Sequence, residues 1–263
     1  MPNADINGLQ VFYTDSGGDG PVVVLSHGFL MDHDMFDAQV AALSPRYRVI
    51  TWDQRGHGET SATEESWSYW DSAEDLNALL DHLGVERAVV GGMSQGGFIA
   101  LRFALKHPDR TTGLILIDTQ AGVEDPDKTA QYDALEHVWT TEGGTEDMAN
   151  VVAMIIIGDD QSHYPAWTAK WLARPNGFIA EPYKTLMTRD DIHDRLAEII
   201  APALVLHGEE DIAIELSKAE ALSDGLPNSR GVVPIPGAGH ASNLTHPEPA
   251  NAAIADFLSS LDG

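Results

Sequence analysis

The chain has 263 residues and carries 41 Asp and Glu against 15 Lys and Arg, a formal net charge of −26. Such a surface repels phosphate backbones and anionic lipid headgroups, so we expect neither nucleic acid nor a membrane as a partner. With 43% hydrophobic residues and no cysteine, the composition excludes disulfides, thiolate nucleophiles and zinc–sulfur sites, and it is typical of a globular protein of the reducing cytoplasm.

Short apolar runs alternate with helix-like segments along most of the chain, which predicts an α/β fold with a mostly parallel sheet and helices on both faces. Residues 6–13 alternate apolar and polar positions and predict an antiparallel hairpin. With the hairpin counted as two strands the sheet has eight, and the others are predicted at 22–25, 47–52, 88–90, 113–118, 203–208 and 231–235. Helices are predicted at 35–43, 72–83, 98–105, 214–223 and 247–261. Ser72 is a candidate N-cap, because Asp75 follows three residues later.

The alternation stops between residues 120 and 200, where two stretches, 131–140 and 148–157, are predicted to be helical. Aromatic residues are frequent in this segment. They suit either an apolar or aromatic part of a substrate or the segment's own small core. The candidates for substrate binding are Trp139, Trp167, Trp171 and Tyr164.

One glycine-rich turn carries the strongest signal for chemistry. Gly92-Met93-Ser94-Gln95-Gly96 fits the pattern G-x-S-x-G and lies between a predicted strand and a predicted helix. A serine on so sharp a turn adopts strained backbone angles, and strand and helix pass so close that Gly92 and Gly96 have no room for a side chain. We therefore predict that Ser94 is a nucleophile, with a surface serine on an ordinary turn as the alternative.

A serine hydroxyl needs a base within hydrogen-bond reach, and the imidazole of that base needs an acceptor. Among 11 histidines, His240 stands out because it follows the last strand in a glycine-containing loop. Asp211 follows the strand at 203–208 and is the predicted acceptor, with Asp118, after the strand at 113–118, as the rival. We interpret His207 as a buried structural histidine.

The oxyanion formed by attack on a carbonyl needs two converging donors. The amide N–H of Gln95, at the N-terminus of the predicted helix, is one candidate. The second is expected from the loop after residues 22–25, where Phe29 is suitably placed. Right-handed crossovers bring the carboxyl ends of parallel strands to one edge, so all these residues are expected to meet there.

Together these motifs resemble the α/β-hydrolase fold superfamily, in particular its small serine esterases and lactonases. The resemblance rests on His27-Gly28-Phe29, Asp53-Gln54-Arg55-Gly56-His57-Gly58, Gly92-Met93-Ser94-Gln95-Gly96-Gly97, His207-Gly208-Glu209-Glu210-Asp211 and Gly239-His240. It implies a core domain formed by residues 1–119 and 201–263, with residues 120–200 inserted as a helical cap. It also implies structural roles for Asp53, Arg55 and His57.

The expected function is therefore hydrolysis of a small carboxylic ester or lactone through an acyl-enzyme, by a Ser-His-Asp triad without metal or other cofactor. The expected assembly is a monomer or homodimer. Three alternatives remain open: a carbon–carbon bond hydrolase acting on a β-diketone or a meta-cleavage product, a cofactor-free oxygenase or perhydrolase, and a hydrolase-like ligand receptor.

Overall fold

The computed structural model describes residues 3–60, 65–158 and 160–261. Its strands are β1 Asn3–Ile6, β2 Leu9–Asp15, β3 Val22–Ser26, β4 Arg48–Trp52, β5 Ala88–Met93, β6 Thr111–Ile117, β7 Ala203–Gly208 and β8 Ser229–Ile235. They form one eight-stranded sheet in the order β1-β2-β4-β3-β5-β6-β7-β8. The pairs β1–β2 and β2–β4 are antiparallel and the others are parallel, which confirms the predicted fold class.

Helices connect most of the parallel strands. They are α1 Asp37–Leu43, α2 Tyr69–His82, α3 Gln95–Lys106, α4 Pro126–Glu142, α5 Glu146–Ile156, α6 Tyr164–Leu172, α7 Ala180–Met187, α8 Leu216–Gly225, α9 Ser242–Thr245 and α10 Pro247–Ser259. Every helix within the described ranges is too short or too polar to cross a lipid bilayer.

The sheet separates two apolar cores. Consecutive residues of β3, Val23 and Val24, point to opposite faces because side chains alternate along a strand. Residues of α2, α3 and α8 pack on the face of Val24, and residues of α1 and α10 pack on the face of Val23. This second core continues into the helices α4–α6 between β6 and β7, so those helices cover one part of the sheet's carboxyl edge.

The predicted N-cap of α2 is wrong by one turn. The helix begins at Tyr69, and Ser68 and Asp71 form the capping box, with the Asp71 carboxylate accepting from the Ser68 amide at 2.8 Å. The sequence repeats Ser-x-x-Asp, and Asp75 is already engaged, because it accepts from Arg55 Nη2 at 2.9 Å. Because Asp75 is paired with Arg55, the pattern formed by Ser68 and Asp71 caps the helix.

The segment between β6 and β7 holds more helix than the sequence predicted. Helices α4 and α5 lie over the two predicted stretches, whereas α6 and α7 were not predicted. Pro165 and Pro182 interrupt the helical pattern, but each lies in the first turn of its helix. Proline is tolerated there because its missing N–H would have no intrahelical partner.

Candidate active site

Ser94 lies on the turn between β5 and α3, with φ 51° and ψ −114°. These angles are strained for a residue that is not glycine. A Cβ on Gly92 would overlap the backbone of Gly96, and a Cβ on Gly96 would overlap the carbonyl oxygen of Ser26. The two glycines therefore allow strand and helix to meet at a separation that only glycine permits, and Ser94 is held between them.

The structure brings Ser94, His240 and Asp211 into one hydrogen-bonded chain. His240 Nε2 lies 3.0 Å from Ser94 Oγ, across 146 positions of sequence. His240 Nδ1 lies 2.7 Å from Asp211 Oδ2. Since a carboxylate can only accept, Nδ1 carries the proton and Nε2 is left free to accept from the hydroxyl. This tautomer is the one that can remove a proton from Ser94.

Backbone amides hold Asp211 in place. Its Oδ1 accepts from the amides of Ala213 at 2.8 Å and Ile214 at 3.0 Å, which leaves Oδ2 for His240. Burial by itself would raise the pKa of Asp211. The charge and hydrogen bond of His240, with the Ile214 amide, outweigh burial and hold that pKa below its usual range. Asp211 is therefore an anion at neutral pH.

The pKa of His240 is raised above its usual value of 6.5. Burial disfavours the imidazolium ion, but the charge and hydrogen bond of Asp211 favour it more strongly, and the charges of Asp118 and Glu124 add to that effect. The arrangement thus stabilises the cation that forms when His240 takes a proton.

The rival carboxylate, Asp118, has a different set of contacts. Its Oδ1 accepts from the Gly208 amide at 2.8 Å and its Oδ2 accepts from the Ser242 amide at 2.9 Å. Burial and the charge of Asp211 raise the pKa of Asp118 to about 6. Through its two hydrogen bonds, Asp118 joins the end of β7 to the segment that follows His240. The sequence did not reveal this role.

His207 is fully buried, in agreement with its interpretation as structural. Its Nε2 lies 2.9 Å from the carbonyl oxygen of Ile214 and 3.4 Å from Asp211 Oδ2. It thus helps to fix the loop of Asp211.

The two predicted oxyanion donors lie at the start of α3 and at the wall of the cavity that contains Ser94. Helix α3 begins at Gln95, so the Gln95 amide belongs to the first turn, whose N–H groups have no intrahelical acceptor. Phe29 lines the same cavity as Ser94 and His240. The role of these two backbone segments as oxyanion donors stays a prediction.

A buried network that the sequence did not predict joins these two segments. The side chain of Gln95 accepts from the Tyr69 hydroxyl at 3.1 Å and donates to Gln54 Oε1 at 2.8 Å. Gln54 Nε2 in turn donates to the carbonyl oxygen of His27 at 2.6 Å. The one sequence signal was the position of Gln54 within the loop Asp53–Gly58.

An apolar cavity of about 110 Å³ opens in front of Ser94. The helices between β6 and β7 supply much of its wall. Of the four aromatic residues predicted to bind substrate, Trp139 lines this cavity. The other three lie elsewhere: Tyr164 donates to the Gly158 carbonyl at 2.7 Å, Trp167 stacks on Lys170, and Trp171 donates to the Leu30 carbonyl at 2.7 Å.

Polar side chains of α6 and the residues after it hold the inserted helices on the core. Lys170 Nζ lies 2.8 Å from Asp32 Oδ2 and 2.6 Å from Asp34 Oδ2. Arg174 donates to the carbonyl oxygens of Gly58 at 2.9 Å and Gly56 at 3.0 Å. Together with the Trp171 bond, these contacts fasten the outer wall of the cavity to loops at the sheet edge.

Two groups of side chains within the described ranges lie close enough to share a metal ion, namely Asp32, His33 and Asp34, and Asp118, His207 and Asp211. In the first group the ammonium of Lys170 already bridges the two carboxylates. In the second group the carboxylates accept from backbone amides and from His240. In both groups the carboxylates are therefore already bound by other parts of the chain.

Comparison with known proteins gives consistent matches. Residues 21–247 match the family model described as alpha/beta hydrolase fold. A pimeloyl-[acyl-carrier protein] methyl ester esterase of Nitrosomonas europaea is 27% identical, over 91% of this chain and 96% of that protein. The structure of a thermophilic esterase from Thermogutta terrifontis has a TM-score of 0.87 at 30% identity, covering 96% of this chain and 94% of that one. The enol-lactonase from Burkholderia xenovorans LB400 has a TM-score of 0.88 at 27% identity, covering 98% of this chain and 100% of that one.

Proposed function

This chain belongs to the α/β-hydrolase family, and we propose that it is a serine hydrolase that cleaves a small carboxylic ester or lactone through an acyl-enzyme. The observation that carries the proposal is the hydrogen-bonded chain from Ser94 Oγ through His240 to Asp211, at the wall of an apolar cavity. The proposal agrees with relatives that are an esterase and an enol-lactonase.

Acylation starts with proton transfer from Ser94 Oγ to His240 Nε2, while Oγ attacks the carbonyl carbon of the substrate. The negative charge that develops on the carbonyl oxygen is stabilised by the amides of Phe29 and Gln95. Asp211 stabilises the imidazolium ion. His240 then gives its proton to the leaving alkoxide, so an alcohol departs and the acyl group stays on Ser94.

Deacylation repeats the sequence with water as the nucleophile. His240 takes a proton from water, hydroxide attacks the acyl carbon, and Ser94 leaves with the proton that His240 returns. The free acid is the second product. With a lactone, both products are parts of one molecule.

We further propose that residues 120–200 act as the cap of a core formed by residues 1–119 and 201–263. The cavity in front of Ser94 suits a small molecule. All the proposed catalytic groups come from one chain, which supports an active site that is complete in a monomer.

A fluorophosphonate probe tests the nucleophile directly, because it phosphonylates a serine that a base activates. We expect labelling on the peptide that contains Ser94, located by mass spectrometry, with none in Ser94→Ala or in heat-denatured protein. A panel of p-nitrophenyl esters and β-diketones then compares ester and carbon–carbon cleavage. Labelling of another serine, or turnover of diketones with esters untouched, would contradict the proposal.

A further inference from the structure

The wall of the cavity in front of Ser94 carries negative charge as well as apolar surface. Glu124 and Glu136 both line it, among aromatic and aliphatic side chains. Among the described residues that line it, none is Lys or Arg. A substrate inside this cavity therefore meets two carboxylates and neither a lysine nor an arginine among the described lining residues.

The cation closest to Glu124 lies behind the wall. Arg189 Nη2 is 3.5 Å from Glu124 Oε2, and the side chain of Arg189 is 1% exposed. The other guanidinium nitrogens donate to the carbonyl oxygens of Gly122 at 2.9 Å and Leu186 at 2.7 Å, and the group stacks on Phe98. Arg189 is thus engaged by the protein and is shielded from the cavity by Glu124 and Phe98.

Carboxylates also affect the two tyrosines of the wall, through a hydrogen bond to Tyr183 and through raised pKa values of Tyr132 and Tyr183. The Tyr183 hydroxyl donates to Asp133 Oδ1 at 2.6 Å, so its proton is already bound to an anion. Burial raises the pKa of Tyr132 to about 12, and the charges of Glu124 and Asp211 contribute to that shift. Burial and the charges of Asp133, Glu136 and Glu124 raise the pKa of Tyr183 as well.

A carboxylate that entered this cavity would lose its hydration and meet Glu124 and Glu136, while the guanidinium of Arg189 is already paired with Glu124. An uncharged chain or ring would lose nothing polar and would bury apolar surface. The volume of about 110 Å³ is comparable with cavities of ~150 Å³ that hold benzene. The inserted group is thus limited to about that size.

We propose that this site selects esters or lactones whose inserted part is a small apolar chain or ring without negative charge, and that Glu124 and Glu136 exclude substrates with a carboxylate there. The inference rests on the proposed hydrolase function. A half-ester or lactone of a dicarboxylic acid, such as a 3-oxoadipate enol-lactone, carries a free carboxylate. Under this inference such a compound is not a substrate of this chain.

Three p-nitrophenyl esters built on a six-carbon acyl chain test the charge rule: the hexanoate, the monoester of adipic acid, and the methyl ester of that monoester. The first and second differ by a terminal methyl against a carboxylate, and the third is polar but neutral. We expect kcat/KM to be at least about 100-fold lower for the carboxylate than for both neutral esters, since like-charge contact costs several kcal/mol. A carboxylate ester hydrolysed as well as the neutral ones would overturn the inference and leave the proposed function intact.

Variants assign the selection to the two glutamates. We expect Glu124→Gln and Glu136→Gln each to lower the preference for neutral esters by at least about fivefold. Glu124→Gln leaves Arg189 unpaired and could unfold the protein, so Glu136→Gln provides an independent measurement. Glu142→Gln, an exposed position on the same helix as Glu136, removes the same charge outside the cavity and should leave the preference unchanged. An unchanged preference in folded Glu136→Gln, or an equal effect of Glu142→Gln, would contradict the assignment.

Binding separates failure of the inference from failure of the proposed function. If none of the esters is hydrolysed, the proposed function is wrong. Calorimetric titration of Ser94→Ala with the hexanoate and adipate esters measures binding without turnover, and we expect heat of binding from the hexanoate alone. Binding of both esters with equal affinity, or of neither, would overturn the inference whatever the outcome of the turnover assay.

Discussion

The carboxyl edge of the sheet and the helices α4–α7 form opposite walls of one cavity, but different contacts hold them in place. At the sheet edge, backbone fixes the reacting groups: Ser94 lies on a turn with no room for a Cβ at Gly92 or Gly96, and amides hold Asp211. The inserted helices are fastened by side-chain contacts, among them Lys170, which is 38% exposed.

The difference in contacts implies a difference in tolerance. An exposed ion pair contributes about 0–1 kcal/mol, whereas an added Cβ at the turn would force backbone to move. Ser94 and Asp211 are therefore fixed by backbone contacts, whereas the polar contacts of the inserted helices tolerate substitution more readily. The comparison assigns the proposed chemistry to the sheet edge and the proposed selectivity to residues 120–200.

The largest effect is expected at the sheet edge. Removing the nucleophile in Ser94→Ala should lower kcat by roughly 10³–10⁶-fold, because no other group can form the acyl-enzyme. Ester turnover measures kcat, and thermal unfolding shows that the variant remains folded. Ser217→Ala, at an exposed position of α8, is the control and should behave as the native protein. Comparable turnover in both variants would contradict the proposed role of Ser94 as the nucleophile.

The two aspartates of the sheet edge should separate catalysis from stability. Asp211→Asn should lower kcat by about 10²–10⁴-fold, because the imidazolium ion loses its partner. Asp118→Asn should instead lower the free energy of unfolding by about 1–3 kcal/mol, because the amide cannot accept from both the Gly208 and Ser242 amides. Turnover and chemical denaturation measure the two quantities. A larger loss of kcat in Asp118→Asn than in Asp211→Asn would reverse the assignment.

The pH dependence of kcat/KM links the two regions. His240 acts as a base only when neutral, and its raised pKa places the midpoint of its protonation above pH 6.5. Activity should therefore fall by about tenfold per pH unit below a midpoint that lies above 6.5. Asp211→Asn should lower this midpoint, and Glu124→Gln should lower it by less. A flat profile between about pH 5 and about pH 9, measured where chemistry limits the rate, would contradict the role of His240.

The smallest effect is expected where the inserted helices contact the core. Trp171→Phe removes the N–H that donates to the Leu30 carbonyl, next to Phe29. A lost hydrogen bond of about 1 kcal/mol should lower kcat/KM for a neutral ester by about fivefold. Trp167→Phe, on the same helix, is the control and should cost less. Equal activity in both variants would show that the helix does not position the Phe29 loop.

The sequence predicted the strand, turn and helix around Ser94 and the parallel sheet because their signals are local. A glycine pair around Ser94 and β-branched runs between helices report on backbone conformation within a few residues. The N-cap of α2 was predicted one turn too late because two Ser-x-x-Asp patterns are equivalent in sequence. The contacts of Asp75 with Arg55 and Asn7 distinguish them. Helices α6 and α7 were missed because a proline can begin a helix as well as end one.

The sequence by itself determined the fold class and the candidate residues that follow the strands, since strand period, glycine turns and chain order are properties of short segments. The tertiary structure decided which aspartate contacts His240, that Trp139 rather than Trp171 lines the cavity, and that two carboxylates lie in its apolar wall. Those outcomes depend on how distant segments are oriented across the sheet edge, and the direction of a side chain in space is fixed only by packing.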